Sequence, residues 1–537
     1  MVLKKYCIIA LLAIMAMMLP MASPIPVAAG APPEYGSGFH TGWIEETSTV
    51  NSSWVFNRTF KYYIPPGFTN STEVPLLFSF HGLGSSGDGQ ITLTRFDALA
   101  QQEGFITVFP ESTALDPNDS RWSGCMTANN WTLPGLTGSN IMWNCGAING
   151  TPIAPLQYCA GVDDVGFTAD IVDWFEANYA INASRIYATG MSNGAMFSYY
   201  LAFNLTGVFA GIGPVTGPMD LNLGNATTTP APTTVIAIRS PTDPIIPEAG
   251  ECGGPPANMC NNFGYSTPDT IAYWREVNNT TTGPAQTTWS DADIDDSTIT
   301  RSVYSGGTNG TQVILFWETG TVEGYNVGHT WPGGPQYQVA WYIGSVSNQI
   351  DGSAQIWKYF SHKNLLTMHG AGGGTATANG SKTLFFEPSS TPTAVTLVAT
   401  PQNEFYEFVN WSGNNVSFAD PTDPTITINI TPNKDYDIKA KFQIKPEEPE
   451  PPSGGCFIAT AAYGTPTAKQ LNVLRAFRDD MLLKSTVGSR LVDLYYKVSP
   501  PIADFISEHN IVRTLVRELL VDPIVRVLEA TGNIWRN

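Results

Sequence analysis

The chain has 537 residues, with 46 acidic and 27 basic side chains, a formal net charge of −19 and a sequence pI near 4.6. That balance repels nucleic acid and offers an anionic bilayer no broad basic face, which excludes nucleic-acid binding as a function class. Apolar residues make up 42% and aromatics 11%, too many for a mainly disordered chain, and 50 Gly with 40 Pro demand many turns.

In chain order, the first feature is a leader. Lys4 and Lys5 precede an apolar run from Tyr6 to Leu19, and Val27-Ala28-Ala29 offers the small residues a signal peptidase requires. Residues 1–29 therefore read as a signal peptide, and the expected location is extracellular. The run is short for a bilayer span, and Cys7 lies too early for a lipid anchor. Six cysteines remain after cleavage, in a compartment where disulfides are the default. Cys252 and Cys260 enclose a short Gly/Pro/Asn loop and are expected to pair with each other. Cys125, Cys145 and Cys159 share a Trp- and Asn-rich insertion whose connectivity stays open, and Cys456 stands apart. No CxxC pair or HExxH helix supports zinc, and no metal is expected. Asn-x-Ser/Thr sequons, among them Asn51, Asn57, Asn70, Asn182, Asn225, Asn309, Asn410 and Asn429, mark positions expected to be exposed and open to glycosylation.

From about residue 50 to 365 strand-like and helix-like stretches alternate. Leu76 to Phe80 reads as a buried strand ending at His81-Gly82; Leu93, Phe96, Leu99 and Ala100 recur at helical spacing. Phe105 to Phe109 is another strand, Val165 to Tyr179 a helix, and strands follow at Arg185–Thr189, Thr234–Arg239 and Gln312–Trp317. A last helix covers about Ala354 to Phe360. This alternation predicts an α/β domain over 30–369, a mostly parallel sheet covered by helices. Residues 370–444 switch to period-two patches at Val395–Ala399, Ile426–Ile430 and Ile438–Phe442, a small all-β module. A Pro/Glu/Gly linker at 445–455 leads to an α-helical tail, 456–537, with apolar faces at Leu474/Phe477/Met481/Leu482, Leu491/Leu494/Tyr495/Val498 and Leu515/Val516/Leu519. Pro500-Pro501 and Pro523 are expected to separate its helices.

The stretch that carries chemistry is Arg185-Ile186-Tyr187-Ala188-Thr189-Gly190-Met191-Ser192-Asn193-Gly194-Ala195-Met196. A strand enters Gly-x-Ser-x-Gly and a helical run follows, the setting of a strained turn that exposes a serine hydroxyl. Side chains at 190 and 194 would collide where strand and helix approach. Ser192 needs a general base, and of the six histidines His329 lies in a loop after the last strand. His81 instead follows the first core strand, where oxyanion-hole backbone belongs. The acid should fall between Ser192 and His329; Asp243, just past a strand, is preferred over Asp220, Asp269 and Glu248. The expected oxyanion donors are the backbone N–H groups of Asn193 and Leu83. Trp122 and Trp331, with Trp131 and Trp143, are candidate substrate-lining aromatics.

Taken in order, Pro75-Leu76-Leu77 leading to His81-Gly82, Gly104-Phe105, Gly161 to Phe167, Arg185 to Met196, Thr242-Asp243-Pro244 and Gly328 to Gly334 resemble the secreted polyhydroxybutyrate depolymerase, acetylxylan esterase and feruloyl esterase family. The resemblance implies an α/β-hydrolase fold, a Ser192–Asp243–His329 triad, no metal or organic cofactor, and a polymeric ester substrate, either polysaccharide or polyester. Arg239-Ser240 departs from the His-Gly usual in that family before the acid. Residues 370–442 resemble a secreted bacterial β-repeat module, through Val395 to Pro401 and Phe408 to Gly413, and Trp411 is expected in its core. The tail resembles the CFI-box C-terminal domain, through Cys456 to Gly464, Leu474 to Asp479 and Tyr495 to Pro500. The resulting expectation is a monomeric secreted serine esterase whose C-terminal region could attach it to the cell surface. The opposing expectation is a non-catalytic surface adhesion protein on an inactive hydrolase scaffold. Truncation near Gly370 is expected to leave the enzyme intact.

Overall fold

The computed structural model describes residues 33–47, 53, 55–112, 143, 162–220, 223, 229–248, 265–445, 457–465 and 468–532. Residues 1–29, Trp122, Trp131, all seven cysteines and most of the 445–455 segment lie outside the described residues.

Chain segments group into two compact units, the first containing residues 33–367 with 383–393 and 430–436. Its strands are β1 (Gly38–Thr47), β2 (Val55–Ile64), β3 (Val74–Phe80), β4 (Ile106–Pro110), β5 (Ile181–Met191), β6 (Gly211–Val215), β7 (Thr234–Arg239), β8 (Thr282–Trp289), β9 (Ser297–Ser305), β10 (Val313–Val322) and β11 (Tyr325–Asn326). They form one sheet in the order β1-β2-β4-β3-β5-β6-β7-β10-β9-β8, with β11 paired to β10. The run from β4 through β10 is parallel, whereas β1–β2, β2–β4, β10–β9 and β9–β8 are antiparallel. Order and direction from β1 to β10 are those of an α/β-hydrolase fold. Helices α1 (Gly87–Thr94), α2 (Phe96–Glu103), α3 (Asp164–Asn178), α4 (Asn193–Asn204), α5 (Thr267–Asn278), α6 (Ala340–Ile343) and α7 (Gly352–Ser361) complete the unit.

Both sheet faces are covered, which is why the central strands read as unbroken apolar runs. Leu76, Phe78 and Phe80 of β3 point to a core shared with Phe167, Trp174 and Phe197, while Leu77 points to the other, with Phe96, Trp357 and Phe360. The single helical stretch expected around Leu93–Ala100 is two helices. Arg95, between them, has φ 53°, and its N–H caps α1 on the Ile91 carbonyl. A buried ion cluster secures the start of α3: Arg58 reaches Glu46 at 3.1 Å and Asp164 at 2.6 Å, while Asp163 accepts from Gly166 N–H at 2.8 Å. The β8–β9 hairpin was not expected; its exposed, Thr-rich strand β8 lacks the apolar alternation that reveals a strand.

The expected boundary at 369/370 falls inside β12 (Asn364–Ala371), which pairs with β14 (Thr383–Phe386) after the short β13 (Gly374–Ala378). Sequence pattern hid this because β12 continues straight from α7 after Lys363, and the glycine run that looked like a spacer is the β12–β13 turn. Asp435 belongs to the first unit: its carboxylate accepts from Lys358 of α7, from Arg301 of β9 at 3.4 Å and from Leu365 N–H at 3.1 Å.

In the second unit β13, β15 (Thr393–Pro401) and β17 (Thr425–Ile430) form a three-stranded sheet, and β16 (Tyr406–Gly413) pairs antiparallel with β18 (Tyr436–Ile444). Trp411 is buried there, its indole N–H donating to the Asp423 carbonyl at 2.8 Å. The tail comprises α8 (Phe457–Tyr463), α9 (Lys469–Phe477), α10 (Thr486–Glu508), α11 (Asn510–Val516) and α12 (Asp522–Ala530). Pro500 and Pro501 lie inside α10 rather than ending it; Val492, Ala503 and Ile506, buried on either side of the pair, anchor both halves. Leu491, Leu494, Val498, Leu515 and Leu519, on the expected apolar helical faces, are exposed. Among the described residues no helix is long and apolar enough to cross a membrane.

Replacing Asp435 by Ala removes the carboxylate that accepts from Lys358, Arg301 and the Leu365 N–H. Thermal unfolding should show a loss of about 2 kcal/mol in the first unit. A chain ending at 370 should melt lower still, because it lacks 383–393 and 430–436 of that unit.

Candidate active site

Ser192 sits between the end of β5 and the start of α4 with φ 58° and ψ −117°, a backbone conformation costing about 1–3 kcal/mol for a residue with a Cβ. The neighbours leave no alternative. A Cβ on Gly190 would lie 2.5 Å from the Gly194 carbonyl, and one on Gly194 would lie 2.2 Å from the Phe80 oxygen. Ser192 N–H donates to Val215 O at 2.9 Å, and its own carbonyl accepts from Ala195 and Met196 at 3.0 Å. The helix therefore starts as soon as the strand stops, with Ser192 at the apex.

Asp243 and His329 lie side by side. His329 Nδ1–H donates to Asp243 Oδ2 at 2.8 Å, and both residues are buried. The second oxygen of Asp243 accepts from the N–H groups of Ile245 and Ile246, each at 2.8 Å, so three donors hold the buried charge. The two loops are stitched together upstream of this pair. Ser240 Oγ and Thr242 Oγ1 both donate to Val327 O, at 3.1 and 2.8 Å, two residues before His329. Gly328 lets them close: a Cβ there would meet Ile343 O at 2.6 Å and Pro244 Cδ at 2.9 Å. Ser240 thus does the local work at the position where the resemblance was broken, and Arg239 turns away to Thr267 and Ile246 O. The rival acids Glu248 and Asp269 are committed elsewhere, to Thr267 and Ser266. Among the described residues Ser192 and His329 share no hydrogen bond, an open arrangement common before substrate arrives.

The loop after β3 lies against Ser192: a Cβ on Gly82 would fall 3.4 Å from that of Ser192. Ser85 N–H closes a turn on Gly82 O at 3.1 Å, and Gly84 has φ 73°. Leu83 N–H makes no hydrogen bond among the described residues, as an oxyanion donor requires. His81 is buried and both its ring nitrogens are engaged: Nδ1–H donates to Gly82 O at 2.8 Å and Nε2 accepts from Ser112 N–H at 3.2 Å. Burial pushes its pKa down to about 4, so the ring is neutral and serves to hold the loop.

Trp331 is not a substrate-lining residue. It is 1% exposed, its ring edge packs on Phe96, and its N–H donates to Ser353 at 3.0 Å; the apolar neighbours that follow His329 pull it into the core. Trp143 is likewise buried. The sequence pattern did not single out Trp341, 72% exposed on α6, just after the His329 loop. His329 N–H donates to Ile343 O at 2.6 Å and Tyr337 OH to His329 O at 2.7 Å, so Trp341 and the exposed Tyr337 share the loop of His329. Its only sequence signal was an aromatic cluster downstream of His329. Glu318, buried on β10 with neither carboxylate oxygen hydrogen-bonded among the described residues, is pushed well above the usual range by burial, then by Asp243 and Asp295. Among the described residues no group of three or more His, Cys, Asp or Glu is placed to hold a metal.

Residues 364–446 match the divergent InlB B-repeat domain. A bifunctional acetylxylan esterase/xylanase of Neocallimastix patriciarum is 24% identical over 217 residues, 40% of this chain and 26% of that protein. Feruloyl esterase B of Neurospora crassa is 27% identical over 147 residues, 27% of this chain and 39% of that protein. The chain thus spans well under half the length of either relative. An acetyl xylan esterase structure from Aspergillus awamori is 16% identical, with a TM-score of 0.30, over 51% of this chain and 89% of that one.

The neutral state of His81 has a pH consequence. Above the ordinary value of 6.5 neither the folded nor the unfolded chain protonates it, and it adds no pH dependence. As pH falls from 6.5 to about 4, the unfolded chain takes up a proton that the folded chain refuses. Stability should therefore fall over that window by about 3 kcal/mol from this group alone. Urea midpoints at pH 7 and pH 4.5 should differ less in a His81→Asn variant than in the parent.

Proposed function

We propose that this chain is a secreted serine carboxylesterase that hydrolyses ester bonds of extracellular polymers through an acyl-enzyme. The observation that carries the reading is the buried Asp243–His329 hydrogen bond, on loops that follow strands parallel to the one ending in the strained Ser192 turn. Asp243 fixes the tautomer with hydrogen on Nδ1, which leaves Nε2 of His329 to take the Ser192 proton. Ser192 Oγ then bonds to the ester carbonyl carbon, and the carbonyl oxygen becomes an oxyanion received by the N–H groups of Asn193 and Leu83. As the carbon–oxygen bond breaks, His329 returns the proton to the departing alcohol. Water, deprotonated by the same imidazole, attacks the acyl-enzyme and releases the acid and Ser192.

For substrate we propose acetyl or hydroxycinnamoyl esters on polysaccharide, ahead of poly-3-hydroxybutyrate. The acetylxylan and feruloyl activities of the two relatives favour this order. The exposed Tyr337 and Trp341 offer flat apolar faces of the kind that pack on sugar rings. Residues 1–29 are proposed as the export signal. The Ser192–Asp243–His329 triad, the Asn193 and Leu83 donors and the Cys252–Cys260 disulfide stand as parts of the same proposal, as do a monomeric state and surface attachment through the C-terminal region.

Ser192→Ala should remove p-nitrophenyl acetate turnover and labelling by a fluorophosphonate probe while leaving the thermal midpoint near that of the parent. Turnover that survives the substitution would overturn Ser192 as the nucleophile, and none in the folded parent would favour a binding protein on an inactive scaffold. Acetate and ferulate released from plant polysaccharide should exceed 3-hydroxybutyrate released from its polymer. Trp341→Ala should raise KM several-fold on the polysaccharide and leave kcat/KM on p-nitrophenyl acetate unchanged.

A further inference from the structure

Trp143 is the one described residue between 112 and 162, and it is fully buried. Its polar contacts fall on the two segments that carry the proposed oxyanion donors. The indole Nε1–H donates to the His81 carbonyl at 2.9 Å, one residue before Gly82. The Trp143 backbone N–H donates to Asn193 Oδ1 at 2.7 Å, and its carbonyl accepts from Asn193 Nδ2 at 3.2 Å. The indole stacks on Phe197 of α4, with ring centres 5.1 Å apart and planes 10° apart, and meets Phe80 of β3 edge-on at 5.1 Å.

We infer that Trp143 is a positioning residue that sets the spacing of the oxyanion hole, an inference that rests on Ser192 being the nucleophile. One residue bridges the loop that presents Leu83 N–H and the helix start that presents Asn193 N–H. Few side chains fix the loop. Gly82 has none, and Gly84 takes a positive φ. Its far end is tied by Gly87 N–H to Glu111, and its start by the Ser85 turn on Gly82 O and by His81, whose ring holds Gly82 O and whose carbonyl is held by the indole. Without that N–H the His81 peptide loses its buried donor and can rotate, carrying the Leu83 N–H with it. A shift of about 1 Å in a group aimed at a transition state lowers rate by as much as ~100-fold. Ground-state ester carries no oxyanion, so its binding does not register the shift.

The test replaces Trp143 in the full chain with Phe, and separately with β-(3-benzothienyl)alanine, which keeps the bicyclic shape and lacks the N–H. Both should lower kcat on p-nitrophenyl acetate by about 10- to 100-fold with KM changed less than about twofold. Affinity for phenylboronic acid, which forms a tetrahedral adduct on the serine, should fall by a similar factor, while inhibition by free ferulate stays as in the parent. A benzothienylalanine chain with the parent's kcat and boronate affinity overturns the inference, whatever happens to the Phe variant. If Trp143→Phe does not fold, the isostere decides, since it preserves the packing. A parent chain that neither turns over ester nor loses boronate binding on Ser192→Ala would instead bring down the nucleophile assignment, and this inference with it.

Discussion

The turn at Ser192 governs the geometry around it. A parallel strand must hand over to a helix within one residue, and the only backbone that does so holds Ser192 at positive φ. That strain persists because the surroundings over-determine it. Gly190 and Gly194 allow β5, α4 and the end of β3 to touch backbone to backbone, at distances no side chain would permit. Val215 O, from the neighbouring β6, takes the Ser192 N–H and finishes the constraint. The sheet therefore acts as the jig: three adjacent strands, β3, β5 and β6, all end where the serine is presented.

Asp243 and His329 are positioned by a different device, two loops tied to each other just before this pair. Ser240 and Thr242 spend their hydroxyls on Val327 O, and Gly328 packs against Pro244. A buried carboxylate is costly unless its lone pairs are filled, and Asp243 fills them with two backbone N–H groups and the imidazole. These same bonds fix the imidazole orientation. The loop of His329 also carries the exposed Tyr337 and Trp341, so the elements that orient the imidazole present these aromatic faces to solvent.

Downstream, the chain does not divide where its composition changes. Asp435 gathers Lys358, Arg301 and the Leu365 N–H within the first unit, although it lies in a segment whose sequence belongs to the B-repeat match. The glycine run at 370–374 serves the turn between β12 and β13, where the chain passes from one sheet to another. In the tail, amphipathic spacing announced helices correctly, while the exposure of Leu491, Leu494 and Val498 shows that an apolar stripe fixes periodicity and not burial.

Short-range chemistry was legible in the sequence alone. Gly190-x-Ser192-x-Gly194 between a strand and a helix requires the strained turn whatever the rest of the fold does, and the chain order of Ser192, Asp243 and His329 leaves few rivals for each role. The central strands were legible too, since burial on both faces writes an unbroken apolar run. What the tertiary structure decided was everything set by partners distant in sequence. Trp331 and Trp143 carry the same side chain as Trp341, yet two are buried and one is exposed, because burial depends on which helix or strand arrives opposite. The Asn193–Trp143 clamp, the Asp435 cluster and the thread from Ser240 to Val327 join residues 50, 77 and 87 positions apart, and no local pattern encodes a pairing over that distance.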